Sequence, residues 1–241
     1  MKLLMCAADL GTERSIHSEA GMAGYEWDFR VAFFHPELWL KALSVTLGYA
    51  AATTALGLIL GVICGMMLLS RYWVVRAPVG AFVQVFRCTP LLIQIIWFYY
   101  ALPVAVSVSI PAWLAAGMGL TFYMAAFSAE IFRAGIVSID RGQWQAAKAI
   151  GMMPWRVMQR VVLPQATRRM MPPFVNQSVL QLKNTSLLSI VAVPDLMYTA
   201  QVFVSDTFRP LEIYTTLGII YLIILYPMQK LAKMLERRDD I

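Results

Sequence analysis

Ser138-Ile139-Asp140-Arg141-Gly142-Gln143-Trp144-Gln145-Ala146-Ala147-Lys148-Ala149-Ile150-Gly151 is a polar, helix-forming island between long apolar runs. Asp140 is an N-cap residue type, and Gln143 stands at the third following position of a capping box. Ala146, Ala147 and Ala149 favour helix, and Gly151 suits the left-handed residue that ends one. Pro154 then fits the first turn of a second short helix, which Pro164 is expected to stop. The stretch predicts a compact helix–turn–helix outside the apolar phase. A mere connecting loop would not need so much capping, and small side chains on the exposed helix let a partner protein approach closely.

The phase around the island is a bilayer. Of the 241 residues 59% are hydrophobic and 14% charged, with a mean hydropathy of +0.64, against about half apolar and a quarter charged in a soluble domain. Apolar segments run from about residue 38 to 232 with no polar domain between them. The organisation expected is an N-terminal segment over 1–36, with Met22 as an alternative start, and one membrane domain over 37–241 whose outboard loop covers 134–168. Cys6, Cys64 and Cys88 are odd in number and lack CxxC spacing, which excludes a disulfide framework or a structural zinc site.

A hydrocarbon core of about 30 Å needs about 20 apolar helical residues. Five spans are predicted: Leu40 to Leu69, Leu91 to Ile110 with a start as early as Val79, Pro111 to Ile131, Met170 to Val193, and Ile213 to Leu231. The net charge of +6 marks topology rather than nucleic acid. Arg71, Arg76 and Arg87 follow span one; Arg133, Arg141, Lys148, Arg156, Arg160, Arg168 and Arg169 lie between spans three and four; Lys230, Lys233, Arg237 and Arg238 close the chain. Five alternating spans put all of these on one face, with the uncharged Ala105-to-Ile110 turn and the acidic-leaning Asp195-to-Glu212 loop opposite. By the positive-inside rule the N-terminus is outside and the C-terminus cytoplasmic.

The spans carry several chemical signals. Gly57, Gly61 and Gly65 strip one helix face of side chains so that another helix can approach. Pro90 disfavours helix at Thr89 and removes a donor, so a break is expected after Arg87. Glu130 and Arg133 are helix neighbours, read as an inward-facing pair at the membrane boundary. On span four, Gln177, Gln181 and Asn184 form a stripe with Asn176 and Lys183 beside it. Such groups are costly against lipid and must face protein or a water-filled pathway.

These residues carry a family likeness. Gln145 to Pro164 resembles the cytoplasmic EAA-type signature of bacterial ABC-importer permeases: Ala146, Ala147, Gly151, Leu163 and Pro164 match, with Gln145 at the usual glutamate and Val161 at the usual isoleucine. Phe86-Arg87-Cys88-Thr89-Pro90-Leu91, Glu130-Ile131-Phe132-Arg133-Ala134-Gly135, Leu163-Pro164-Gln165-Ala166 and Lys183-Asn184-Thr185-Ser186-Leu187 look like the polar amino-acid branch (histidine, glutamine, glutamate, arginine, opine). The resemblance implies an all-α integral membrane protein of the type I ABC-importer permease fold in the bacterial cytoplasmic membrane. It implies a pair with a second permease subunit, a cytoplasmic ABC ATPase dimer that consumes the ATP, and an extracytoplasmic amino-acid-binding protein. The helix after Asp140 would be the coupling helix, and the permease itself would bind no cofactor.

The alternatives are weaker on the residues. No GxxxxGK[ST] phosphate loop is present, so energy is expected from a partner or a gradient. A gradient-driven secondary transporter of small polar solutes would show more spans and an internal repeat. A membrane enzyme would need a nucleophile or metal set, and neither HExxH nor GxSxG occurs.

Overall fold

The computed structural model describes residues 25–33 and 35–239, and every element of regular secondary structure among them is a helix. The helices used below are α1 (Pro36–Leu68), α2 (Trp73–Cys88), α3 (Leu91–Val106), α4 (Ala112–Val137), α5 (Arg141–Ala149), α6 (Pro154–Val191), α7 (Leu196–Thr207) and α8 (Pro210–Asp239). Expectations for residues 1–24, including the start at Met22, lie outside the described residues.

Three helices, α1, α4 and α8, are by themselves long and apolar enough to cross a bilayer. The other two predicted spans are broken. α2 and α3 meet at a 110° bend at Thr89-Pro90, and α6 and α7 at a 47° bend near Pro194. The second span is therefore shared by two sixteen-residue arms rather than running straight from Leu91 to Ile110. The Asp195-to-Glu212 loop is also corrected, because most of it is α7, whose N-terminus is capped by Asp195 accepting from Tyr198 N at 2.8 Å.

The core is the seam between α1 and α4. A Cβ on Gly57 would lie 2.5 Å from Met124 Cβ, one on Gly61 would strike Ser128 Cβ, and one on Gly65 would lie 2.8 Å from Phe132. The rows 57/61/65 and 124/128/132 repeat every four residues, so the backbones touch along two helical turns. Without a hydrophobic drive inside lipid, this close dispersion contact is what holds the pair.

Pro164 does not stop a helix. α6 runs through it, and a π-turn over Met158–Val162 closes with Leu163 N–H on Met158 O. A regular α-turn would press the Pro164 ring against the carbonyl four residues back, that of Arg160; the wider turn moves that carbonyl away. α3 repeats the device, with a π-turn over Trp97–Ala101 immediately before Leu102-Pro103. The outboard loop is consequently shorter than 134–168: α4 extends to Val137 and α6 begins at Pro154.

Candidate functional site

α5 is built as expected at both ends, with one difference. Asp140 accepts a hydrogen bond from Gly142 N rather than Gln143 N, while Gln143 N–H goes to the Asp140 carbonyl at 3.1 Å and the Gln143 side chain is exposed. At the other end Gly151 has φ +80°, Gly151 N–H reaches Lys148 O at 2.9 Å and Met152 N–H reaches Ala147 O at 3.1 Å. That pair of bonds is the Schellman closure.

The inner face of α5 is not free to drift. Ala147 is buried in a cluster with Phe132 and Ile136 from the end of α4, Ile139 from the turn that follows it, and Val157, Val162, Ala166 and Met170 from α6, with Trp144 and Leu163 packed at its edge. Arg169 closes the base, donating to Ser138 O at 2.6 Å at the exposed end of α4. A push on α5 is thus carried by close-packed side chains into two membrane helices at once. The outer face is exposed: Gln145, Ala146, Ala149, Ile150 (78% exposed), Met153 and Trp155 (56%). Gln145 lines a groove of about 510 Å³ with Leu69, Arg141, Trp144 and Lys148. Among the described residues no carboxylate pairs with Arg141 or Lys148, so the groove is basic.

The α2–α3 elbow joins two of the singled-out motifs. Glu130 on α4 holds Arg133 through two nitrogens (Nε at 3.1 Å), and Arg87 at the end of α2 comes within 3.8 Å of the same carboxylate. Arg87 also lies over the Phe127 ring, 5.6 Å from its centre. Pro90 leaves the Phe86 carbonyl without its helical donor, and Gln94 supplies one: its amide nitrogen donates to Phe86 O (2.8 Å), Thr89 O (3.0 Å) and Thr89 Oγ1 (2.9 Å). The Thr89 hydroxyl in turn donates to Val85 O. Phe82, Phe86, Phe98 and Phe122 pack around this corner. Gln94 was missed from sequence, although an amide four residues after a proline in an apolar run was the available signal.

The polar stripe of α6 splits in two. Gln181 is fully buried and donates to Thr53 Oγ1 (3.0 Å) on α1 and to Leu120 O (2.9 Å) on α4; Gln177 is buried beside it. Both amides face inward, and Gln181 ties α6 to α1 and α4. Asn176 and Lys183, seven positions apart and therefore on one face, are exposed, and Asn184 is half-buried between the two sets. Thr53 falls in the same row as Gly57 and Gly61, which was the signal for it.

Broken membrane helices, a polar face on one of them and a short capped helix packed across the ends of two others are features of a membrane transport component. The residues from 57 to 239 match the family model described as "Binding-protein-dependent transport system inner membrane component". The chain is 33% identical over 205 residues to the glutamine transport system permease protein GlnP of Escherichia coli (strain K12), covering 85% of this chain and 94% of that one. It is 35% identical over 205 residues to the octopine transport system permease protein OccM of Rhizobium radiobacter, covering 82% and 84%. Its fold superposes with a TM-score of 0.84 on a chain from the crystal structure of an amino acid ABC transporter with histidines, at 29% identity over 89% of this chain and 100% of that one. The methionine transporter MetNI in an inward-facing form shares the fold at 20% identity, with a TM-score of 0.71. The chain belongs to the binding-protein-dependent inner-membrane component family and is an ABC-importer permease subunit of the type I fold, not a secondary transporter.

Proposed function

We propose that this permease moves a polar amino acid across the cytoplasmic membrane by alternating access, driven by separate ATPase subunits that seat on α5. The observation that supports the reading is the continuity of the α5 cluster with α4 and α6: Ala147 of α5 packs in one cluster with residues of the helix that bears Lys183. Rigid-body rocking of packed helices is how such switches work. Substrate class is supported by the relatives, named for glutamine and octopine transport.

In this reading α5, Asp140 to Gly151, is cytoplasmic and docks in a groove of one member of an ATPase dimer, with Leu163 and Pro164 behind it. Gln145 leaves Arg141 and Lys148 unneutralised, so the docking groove it faces is expected to be acidic. Asn176 and Lys183 line the pathway, the ammonium group serving a substrate carboxylate. Arg87, Thr89, Pro90, Glu130 and Arg133 form the hinge at the elbow. A second permease subunit completes the pathway, and an extracytoplasmic binding protein delivers the amino acid. The N-terminus is outside and the C-terminus cytoplasmic; the chain binds no cofactor, and ATP is consumed by its partners.

Reconstitution of the co-purified complex in proteoliposomes tests this. Uptake of labelled glutamine, arginine, histidine or octopine is expected to need ATP and the binding protein and to survive collapse of the proton gradient. Gradient-driven uptake without ATP would overturn the reading. Cysteines placed at Ala146 or Ala149 are expected to resist an impermeant label applied from outside the cell; ready labelling would reverse the topology.

A further inference from the structure

The segment that precedes α1 carries a hydrogen-bonded clamp that transport leaves unused. Glu212, in the first turn of α8, is 0% exposed. Its carboxylate accepts from the Tyr25 hydroxyl, from Asp28 N at 3.2 Å and from Arg209 at 3.1 Å. The same Arg209 nitrogen donates to Glu26 O at 3.1 Å. The backbone from Tyr25 to Asp28 is thereby fixed to the corner between α7 and α8. The hydrogen bond to Glu212 also raises the Tyr25 phenol above its ordinary range, so this donor keeps its proton at neutral pH.

The clamp leaves aromatic rings facing outward. Trp27 stacks on Phe29 with centres 5.5 Å apart and 8° between planes, and Tyr25 meets Trp27 edge-on. Trp27 is 57% exposed, and Phe208, next to Arg209, is 85% exposed. Their depth follows from the packing below them. Trp39 and Ala42 at the start of α1 share a core with Ile213 and Leu217 at the start of α8, so both spans begin at one level. The bonds from Tyr25 and Asp28 to Glu212, in the first turn of α8, set the rings at that level, where Leu40 and Leu211 near the starts of the two spans are also exposed. Trp and Tyr concentrate where hydrocarbon gives way to headgroups, since each joins an apolar ring to a hydrogen-bonding tip.

The geometry points to the clamped segment Tyr25–Phe29 as a lipid-docking surface, its rings seated among the headgroups and glycerol backbones of the leaflet at which α1 and α8 begin. Arg30 follows at once and is exposed, a cation at phosphate depth. Because Glu212 orders the segment beforehand, insertion orders little that was free. The inference rests on the two spans alone and does not depend on the transported solute or on which leaflet is outer.

Depth-resolved fluorescence quenching tests it. The full chain with its co-purifying subunits is placed in phosphatidylcholine bilayers brominated either near the acyl carbonyls or near the chain ends, and Trp27→Phe is measured in parallel so that the difference isolates Trp27. Carbonyl-proximal bromine is expected to quench that component about two-fold more than chain-end bromine, as for a ring about 5–10 Å into the headgroup boundary. A component quenched by neither lipid, because water or a protein covers the ring, overturns the inference, and so does stronger quenching from the chain ends. Should Trp27→Phe fail to accumulate, Phe29→Trp measured against the parent chain supplies the same comparison.

Discussion

Replacing Gly151 with valine perturbs the turn behind α5 without creating a clash. Gly151 sits at φ +80°, and a Cβ added there meets nothing within 4 Å, so the cost is confined to the backbone. An L-residue in the left-handed region costs about 1–2 kcal/mol, with Asn the mildest and β-branched side chains the worst. The two Schellman bonds at 2.9 and 3.1 Å would be held only part of the time, a loss of about 5- to 30-fold in the ordered turn. The α4–α6 core beneath does not include Gly151, so the protein is expected to insert and fold. In proteoliposomes containing the ATPase, uptake per ATP hydrolysed is expected to fall by about that factor for Gly151→Val, by less for Gly151→Ala and least for Gly151→Asn. A valine variant with the parent ratio, or an asparagine variant as impaired as valine, would refute the reasoning.

Three further outcomes follow from the packing. Gln94→Leu strands the Phe86 and Thr89 carbonyls at the elbow and is expected to cost about 1–3 kcal/mol in denaturant unfolding; Gln94→Glu is expected to do no better, since a carboxylate cannot donate. Gly61→Ala drives a methyl into Ser128 and is expected to cost about 1–3 kcal/mol, partly recovered by Ser128→Gly in a double-mutant cycle, whereas Gly48→Ala, which meets nothing within 4 Å, is expected to be neutral in the same assay. Glu130→Gln is expected to lower stability by only about 1 kcal/mol or less, because both arginines it holds are over a third exposed, and a larger drop in thermal unfolding would show the cluster to be drier than its exposure indicates.

The sequence was legible where structure is decided locally. The cap at Asp140, the left-handed Gly151 and the glycine row of α1 depend on a few neighbouring residues and appear as expected. Pro90 announced a break, but the 110° bend depends on Gln94 and four phenylalanines from three helices, which no local window contains. Pro164 misled because a proline reads as a stop unless the turn before it widens. The stripe on α6 was legible only in part, for a geometric reason: periodicity gives the angle between Gln181 and Lys183, but which of them meets α1 is set by tertiary packing. The Asp195 cap was present in the sequence, and the loop reading followed from charge alone.

The π-turn of α6 acts as a gear. Each residue advances a helix by about 100°, so the one extra residue wound into Met158–Val162 offsets the azimuth of everything beyond it relative to Trp155. That offset keys the outboard helix to the two faces above, turning Gln181 toward Thr53 and Leu120 while Lys183 faces away. Rewinding that turn to a regular α-helix, with the sequence unchanged, would swing the ammonium toward the helical seam and the amides out of it. Pro164 acts as a ratchet against that loss, since tighter winding would drive its ring into the Arg160 carbonyl.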